Sequence, residues 1–173
     1  MYGFYSDNKD KFEERTNKVK KAISFLILAL CLFLMFMHGV IPFSSLVVRI
    51  VAGIGIVISG LAALYGGTEF YNKMSGGKIK SIAIKKFDSS AISENELALM
   101  FANSDYAGLV NASSADNQPI QLYVDEDETG KVFYIQLMKY YSKSDFSGMS
   151  EVKVISEPEY SQVYKNIKNI KST

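Results

Sequence analysis

Cysteine and histidine are scarce in this sequence, and their scarcity excludes several kinds of site. The 173-residue chain has one cysteine, Cys31, and one histidine, His38. A single cysteine excludes an intramolecular disulfide framework, and a zinc site needs a cluster of Cys and His ligands. His38 has serines near it in sequence but no acid, so a Ser–His–Asp triad is not indicated. We interpret Cys31 as a small lipid- or helix-facing residue and His38 as an interfacial one.

Phosphate-binding and catalytic motifs are also missing. No segment matches GxxxxGK[ST], and none completes GxGxxG. Asp125-x-Asp127-x-Thr129-Gly130 matches the start of a calcium loop, but position 12 is Gln136 and the flanks are strand-like. We interpret this segment as an acidic, solvated hairpin turn. The sequence therefore predicts no catalytic residue, no cofactor and no metal.

Charge is almost absent from residues 22–65, where Arg49 is the one charged side chain. This block contains two apolar runs, 22–41 and 45–65, separated by a short turn at Pro42. At 1.5 Å per residue, about twenty helical residues span about 30 Å, the thickness of a bilayer's hydrocarbon core. The sequence therefore predicts a transmembrane hairpin of two helices.

Two other interpretations of the apolar runs are weaker. A cleaved signal peptide would have a clear small-residue cleavage site, which is missing after the first run, and its removal would leave the second run unexplained. Two buried helices of a soluble core would need more surrounding chain than this domain offers.

The charges that flank the hairpin predict its direction. Residues 1–21 carry six basic and four acidic side chains, and residues 66–86 carry five basic and one acidic. The positive-inside rule then places both termini in the cytoplasm, with the membrane being the inner membrane if the source is bacterial. Arg49 lies at the outer end of the second helix. It either extends to the outer headgroups or makes a polar contact inside an oligomer or pore.

The second helix carries small residues at a spacing of four, namely Gly55, Ser59, Ala63 and Gly67. Such rows let helix backbones approach closely in lipid. The sequence therefore predicts helix packing along this row, either with the first helix of the same chain or with another protomer.

Residues 66–77 are interpreted as a juxtamembrane connector, and residues 78–87 as a strand with four lysines. These lysines either face the anionic inner leaflet or protect a sheet edge. They are Lys78, Lys80, Lys85 and Lys86.

The remaining sequence predicts alternating strands and helices. Ser93 and Glu96 form a capping box that begins a helix over 94–102. Residues 103–118 are ambiguous between helix, strand and loop. Further strands are expected at 120–124, 131–141 and 151–155.

A second capping box, Ser156 to Glu159, with Pro158 in the first turn, predicts a C-terminal amphipathic helix. Aromatic residues are frequent in the strand region and either fill a core or form an exposed patch for a partner or planar ligand. They are Phe133, Tyr134, Tyr140, Tyr141 and Phe146.

We therefore predict a membrane protein with an N-terminal two-helix transmembrane hairpin followed by a small α+β domain with an antiparallel sheet and two helices. Its parts are a basic cytoplasmic N-terminal segment (1–21), the hairpin (22–65), the connector (66–77) and a cytoplasmic domain (78–173). Residues 87–173 carry seven lysines against thirteen acids, which disfavours nucleic-acid binding.

The predicted function is that of a non-enzymatic integral membrane protein whose cytoplasmic domain binds a partner. It would be a subunit of a membrane assembly or an exclusion or immunity-type protein. The expected partners are the lipid bilayer and either a protein or a second copy that associates through the transmembrane helices. One alternative is a ligand-triggered, membrane-disrupting effector with a cytoplasmic sensor domain. Another is a membrane-anchored enzyme with an unrecognised acidic site.

Overall fold

The chain forms two compact units, and the computed structural model describes residues 1–37, 45–65, 67–142 and 145–170. Glu14–Glu69 forms the first unit, called here the hairpin unit. Met1–Glu13 and Phe70–Thr173 together form the second, called here the α+β domain. The predictions of two apolar helices and of a small α+β domain with antiparallel sheet are confirmed.

The described elements alternate in type along the chain. The helices are α1 (Tyr2–Asp7), α2 (Lys18–Phe36), α3 (Ser45–Tyr65), α4 (Glu94–Ala102), α5 (Tyr106–Asn111) and α6 (Glu159–Lys168). The strands are β1 (Phe12–Thr16), β2 (Thr68–Asn72), β3 (Ile79–Lys86), β4 (Ile120–Asp127), β5 (Val132–Ser142), β6 (Asp145–Gly148) and β7 (Lys153–Ile155).

Helix α2 begins at Lys18, earlier than the predicted residue 22, because Asn17 caps its N-terminus. The Asn17 side chain accepts a hydrogen bond from the Lys20 backbone N–H at 2.9 Å. Its amide also donates to Glu69 at 2.6 Å, and its backbone N–H donates to the Gly67 carbonyl at 2.8 Å. These bonds tie the start of α2 to the chain that follows α3.

The small residues of α3 lie where α2 and α3 pack together in the hairpin unit. A Cβ added at Gly55 would lie 2.5 Å from Cys31 Sγ on α2, so the glycine leaves room for the Cys31 side chain at this contact. Ser59 and Ala63 are buried as well. Contrary to the prediction, Gly67 does not belong to the packing row of the helix, because α3 ends at Tyr65. It occupies a turn at φ +99° against Asn17.

The α+β domain is built on an antiparallel sheet of order β3-β4-β5-β6, with β7 also paired to β5. One face carries the main core, on which α4, α5 and α6 pack. This face is aromatic at its centre, where the Phe133 ring stacks on Tyr160 with ring centroids 4.5 Å apart. Leu122, Val124 and Ile135 are almost completely buried there.

The opposite face of the sheet is covered by the first thirteen residues of the chain. Tyr5 and Phe12 pack there on Ile79 of β3 and Tyr134 of β5, and all four are buried. The N-terminal segment therefore differs from the separate basic segment predicted for residues 1–21. Its apolar side chains have a place in the domain because strand residues alternate between the two faces of the sheet.

Other predicted elements agree with the structure to different degrees. The Ser93–Glu96 capping box forms as predicted, and α4 has the predicted bounds. The ambiguous region contains the helix α5, and β6 was not predicted. The predicted second capping box is absent, because α6 begins at Glu159 after Pro158 and has no side-chain cap. The described domain thus contains four helices, counting α1, where two were predicted.

Candidate functional site

An apolar cleft of about 590 Å³ opens in the α+β domain beside the N-terminal segment. Its volume falls in the range of small-molecule sites, roughly 300–1,000 Å³. Four stretches of chain that are distant in sequence contribute to the cleft: the N-terminal segment, the turn after β2, the start of β5, and β7. The lining residues are Phe4, Lys11, Phe12, Asn72, Met74, Ser75, Gly130, Val132, Tyr134, Val154 and Ser156.

The aromatic wall of the cleft is held by a buried hydrogen bond. Tyr5 packs edge-on against Phe12, with centroids 5.0 Å apart, and against Tyr134, at 5.6 Å. Its hydroxyl donates to Asp125 of β4 at 2.9 Å. Because both partners are buried, this bond fixes the N-terminal segment in one position on the sheet, and with it the wall of the cleft.

The floor of the cleft is organised by Asp127, which is completely buried. Ser75 Oγ donates to its carboxylate at 2.5 Å, and the Gly130 backbone N–H donates to it at 2.9 Å. The Gly77 N–H donates in turn to Ser75 Oγ at 2.9 Å. One carboxylate therefore joins the turn after β2 to the β4–β5 hairpin, and two of its contacts, Ser75 and Gly130, line the cleft.

One basic side chain lines the cleft, and a second lysine lies next to it. Lys11 lines the cleft and is exposed. Lys73 lies beside it, since its backbone N–H donates to the Lys11 carbonyl at 2.9 Å and its ammonium to the Lys9 carbonyl at 2.6 Å. In the part of the chain that the structure describes, no carboxylate forms an ion pair with any of these three lysines.

Burial changes the titration of the groups behind the aromatic wall. Burial raises the pKa of Asp125, although hydrogen bonds from Tyr5 and Ser81 act in the opposite direction. The pKa of the Tyr5 hydroxyl is raised by burial and by the neighbouring Asp125. Burial and Asp127 raise the pKa of Tyr134 to about 12. Both tyrosines are therefore neutral hydrogen-bonding groups at neutral pH.

Asp125 is expected to make the domain less stable as the pH rises. Its carboxyl binds a proton more tightly in the folded state, so its stabilising contribution is present below the unfolded pKa and is lost as pH rises through the folded pKa. We expect the free energy of unfolding of the wild type, relative to Asp125→Asn, to increase on going from pH 7 to pH 4. Urea unfolding of both proteins at each pH measures this difference. If the stability difference between the two proteins did not change with pH, the pKa of Asp125 would not be raised in the folded domain.

The lysines predicted to face a membrane surface have different environments. Lys80 is exposed and lies 3.6 Å from Glu128, whereas Lys78 and Lys86 are partly buried. Lys85 contradicts the prediction: it is 5% exposed, and its ammonium donates to the Val110 carbonyl at the end of α5 at 2.5 Å. Burial lowers the pKa of Lys85. Its aliphatic stem fits the core, and its ammonium satisfies a helix-terminal carbonyl.

The acidic hairpin is not the solvated turn that was predicted. Asp125, Glu126 and Asp127 are all buried, and their oxygens accept hydrogen bonds from neighbouring segments. Among the described residues, no group of three or more His, Cys, Asp or Glu side chains is arranged to hold a metal ion. The buried carboxylates of this segment join the N-terminal segment, the turn after β2 and α6 to the sheet.

The remaining candidates are scattered. Arg49 is exposed on α3 in the hairpin unit, and its role stays a prediction. His38 lies outside the described residues. Phe133 and Tyr134 are buried on opposite faces of the sheet, whereas Tyr140 and Tyr141 are 47% and 54% exposed. The structure therefore does not bring the aromatic run together into one pocket.

Comparisons with known proteins give no family for the chain. No family model, curated protein or solved structure matches it.

Proposed function

We propose that this protein is a non-enzymatic integral membrane protein whose cytoplasmic α+β domain is a binding module. The observation that carries the proposal is how the domain is composed. Its two parts, Met1–Glu13 and Phe70–Thr173, lie before and after the apolar helices in sequence and fold as one unit. The two ends of the hairpin then belong on the same side of a membrane, as an even number of spans requires.

The length and composition of the two helices support insertion. Lys18–Phe36 and Ser45–Leu64 are long and apolar enough to cross a bilayer. Large apolar side chains are exposed along α2, including Leu26 at 70% and Phe36 at 80%. Exposed apolar surface of this extent is unfavourable in water and favourable in lipid.

The packing of the N-terminal segment argues against a cleaved signal peptide. Cleavage after α2 would remove Tyr5 and Phe12, which are buried in the domain. The domain would lose the hydrogen-bond donor to Asp125 and would expose the sheet face around Tyr134. The protein is therefore expected to keep its N-terminus and both apolar helices.

Binding is the activity that the cleft supports best. The cleft is mainly apolar, with a few polar groups at its edge, which is the usual composition of a recognition site. The buried acids next to it are occupied in hydrogen bonds that hold the chain together, so their arrangement favours a structural role over acid–base chemistry. The partner would be a component of the same membrane.

Cysteine labelling tests the proposed topology. In a Cys31→Ser background, Ser44→Cys, which the sequence predicts to lie in the connecting turn, is expected to react with a membrane-impermeant maleimide in intact cells. Ala98→Cys, exposed on α4, is expected to react only after the cells are opened. The expected ratio of labelling before and after opening is near one for Ser44→Cys and below one tenth for Ala98→Cys.

The opposite result would overturn the proposal. Labelling of Ala98→Cys in intact cells would place the domain outside. Recovery of the whole chain in the soluble fraction would show that the helices do not insert.

A second candidate function, a ligand-triggered membrane effector, is favoured by one observation. Phe4, Lys11 and Phe12 line the cleft, and the chain runs from Phe12 through β1 directly into α2. A ligand in the cleft would therefore touch a segment continuous with a predicted transmembrane helix. Loss of membrane potential on expression, prevented by a cleft variant such as Val154→Glu, would favour this candidate over a passive binding module.

A further inference from the structure

We propose that the cleft holds an acyl chain of an anionic membrane lipid, with the lysines at its rim binding the headgroup. This inference rests on the proposed membrane location and names the ligand of the binding module. The cleft has an apolar interior and a lining lysine without an ion pair among the described residues. Its residues also lie close in sequence to the apolar helices.

The interior of the cleft suits a hydrocarbon chain. Phe4, Phe12 and Val132 contribute apolar surface, and Tyr134 presents its ring while its hydroxyl accepts a hydrogen bond from Asn72 at 3.3 Å. The hydroxyl oxygen keeps this bond from Asn72 when an apolar ligand lies against the ring. A flexible acyl chain can follow the shape of a cleft whose walls come from several segments of the protein.

Two apolar side chains extend the cleft to the surface. Met74 is 96% exposed at the turn after β2, and Val154 is 54% exposed on β7. Both line the cleft and leave apolar surface in contact with water when the cleft is empty. A bound acyl chain would cover part of this surface and gain the corresponding hydrophobic free energy.

The charge at the rim selects an anion. Lys11 lines the cleft, and Lys73 donates to the Lys11 carbonyl through its backbone N–H and to the Lys9 carbonyl through its ammonium. No carboxylate among the described residues forms an ion pair with these three lysines. Elsewhere in the domain, lysines such as Lys131 and Lys168 are paired with acids. The Lys11 ammonium in the lining of an apolar cleft, with Lys73 next to it in the fold, is complementary to a molecule with an anionic head and an apolar tail.

The sequence position of the rim identifies the bilayer as the source of the ligand. Only a few residues of chain separate Lys11 from the start of α2 and Lys73 from the end of α3. A domain tethered this closely meets membrane lipid at high effective concentration, and basic side chains near an anionic leaflet gain attraction. A protein segment or a free fatty acid is the competing occupant that the experiment must distinguish.

Photolabelling of the full-length protein in nanodiscs tests the inference. The probe is phosphatidylglycerol with a diazirine in one acyl chain, and its matched neutral probe is the phosphatidylcholine analogue. Mass spectrometry then measures labelling of peptides that contain Phe4, Val132 or Val154, relative to labelling of α2 and α3 in the same sample. We expect the anionic probe to label the cleft peptides at least tenfold more than the neutral probe.

Two variants and their matched controls locate the labelling. Lys11→Gln is expected to lower cleft labelling about fivefold, whereas Lys165→Gln, exposed on α6 at the other face of the sheet, leaves it unchanged. Val154→Glu is expected to abolish it, whereas Leu99→Glu, at a residue 62% exposed on α4, does not. All four residues are partly or largely exposed, and circular dichroism melting verifies that each variant is folded.

The outcomes separate this inference from the proposed function. Labelled helices with an unlabelled cleft would overturn the lipid inference and leave the membrane location intact. Equal labelling by the neutral probe would overturn the role of the lysines, and labelling only by an added diazirine fatty acid would overturn the bilayer as the source. Absence of labelling in α2 and α3 would overturn the proposed function itself.

Discussion

Lys168→Met is expected to lower the free energy of unfolding of the α+β domain by about 3 kcal/mol. Lys168 lies at the end of α6 and donates to Glu126 at 2.6 Å. Glu126 is 2% exposed and also accepts from the Tyr160 hydroxyl at 2.9 Å. Removing the ammonium leaves a buried carboxylate with one neutral donor, and an uncompensated buried charge is among the most destabilising changes in a protein.

Amide hydrogen exchange of β4 and β5 in the reconstituted full-length protein measures this loss, since the slowest amides there report global opening of the domain. The matched control replaces the whole network: Glu126→Leu, Tyr160→Phe and Lys168→Met in one chain. Apolar replacement of a buried ionic network is often close to neutral. We therefore expect the triple variant to recover most of the stability. A loss below about 1 kcal/mol for Lys168→Met would show that water already screens the pair.

The parts of the fold that could be predicted are those that depend on neighbouring residues. The length and composition of α2 and α3, and the Ser93–Glu96 box that begins α4, are local signals, and they agree with the structure. The Ser156–Glu159 box has the same local pattern but does not form. A capping pattern states only that a helix start is favourable there, and the surrounding chain decides where the helix begins.

The cleft could not be predicted because its parts meet only in the folded domain. Tyr5 and Asp125 are separated by 120 positions, yet their hydrogen bond sets the wall of the cleft. The charges of residues 1–21 predicted a separate basic segment. In the structure, Tyr5 and Phe12 of this segment are buried, whereas most of its lysines are exposed. The one usable signal was the aromatic content of this segment, which is unusual for a solvated tail.

The prediction of a solvated acidic turn was wrong for a related reason. A run of four acids before Thr129-Gly130 is typical of a solvated turn, and Glu128 does lie exposed. The preceding three acids belong to β4 and alternate between the two covered faces of the sheet. Asp127 accepts one bond from the nearby Gly130 N–H, but other donors to these acids come from the N-terminal segment, the turn after β2, and α6, which are far from them in sequence.

Gly77→Ala is expected to destabilise the domain by about 3 kcal/mol, because it overpacks a buried site and displaces a buried hydrogen-bonded carboxylate. A Cβ at Gly77 would overlap the Asp127 carboxylate and lie 2.9 Å from the Thr129 Cβ. Asp127 has no free space to move into, since it is completely buried and bonded to Ser75 and Gly130. Hydrogen exchange of β4 measures the loss of stability.

Gly76→Ala is the matched control, one residue earlier in the same turn. Gly76 has φ +68° but open space around its Cα, so alanine there costs only the backbone strain of about 1–2 kcal/mol. Displacement of Asp127 also disturbs Ser75 and Gly130 in the cleft, so Gly77→Ala is expected to reduce lipid labelling at temperatures where the domain stays folded. Gly76→Ala is expected to keep it. Equal stability losses in the two variants would show that strain in the turn, rather than the contact with Asp127, controls this part of the domain.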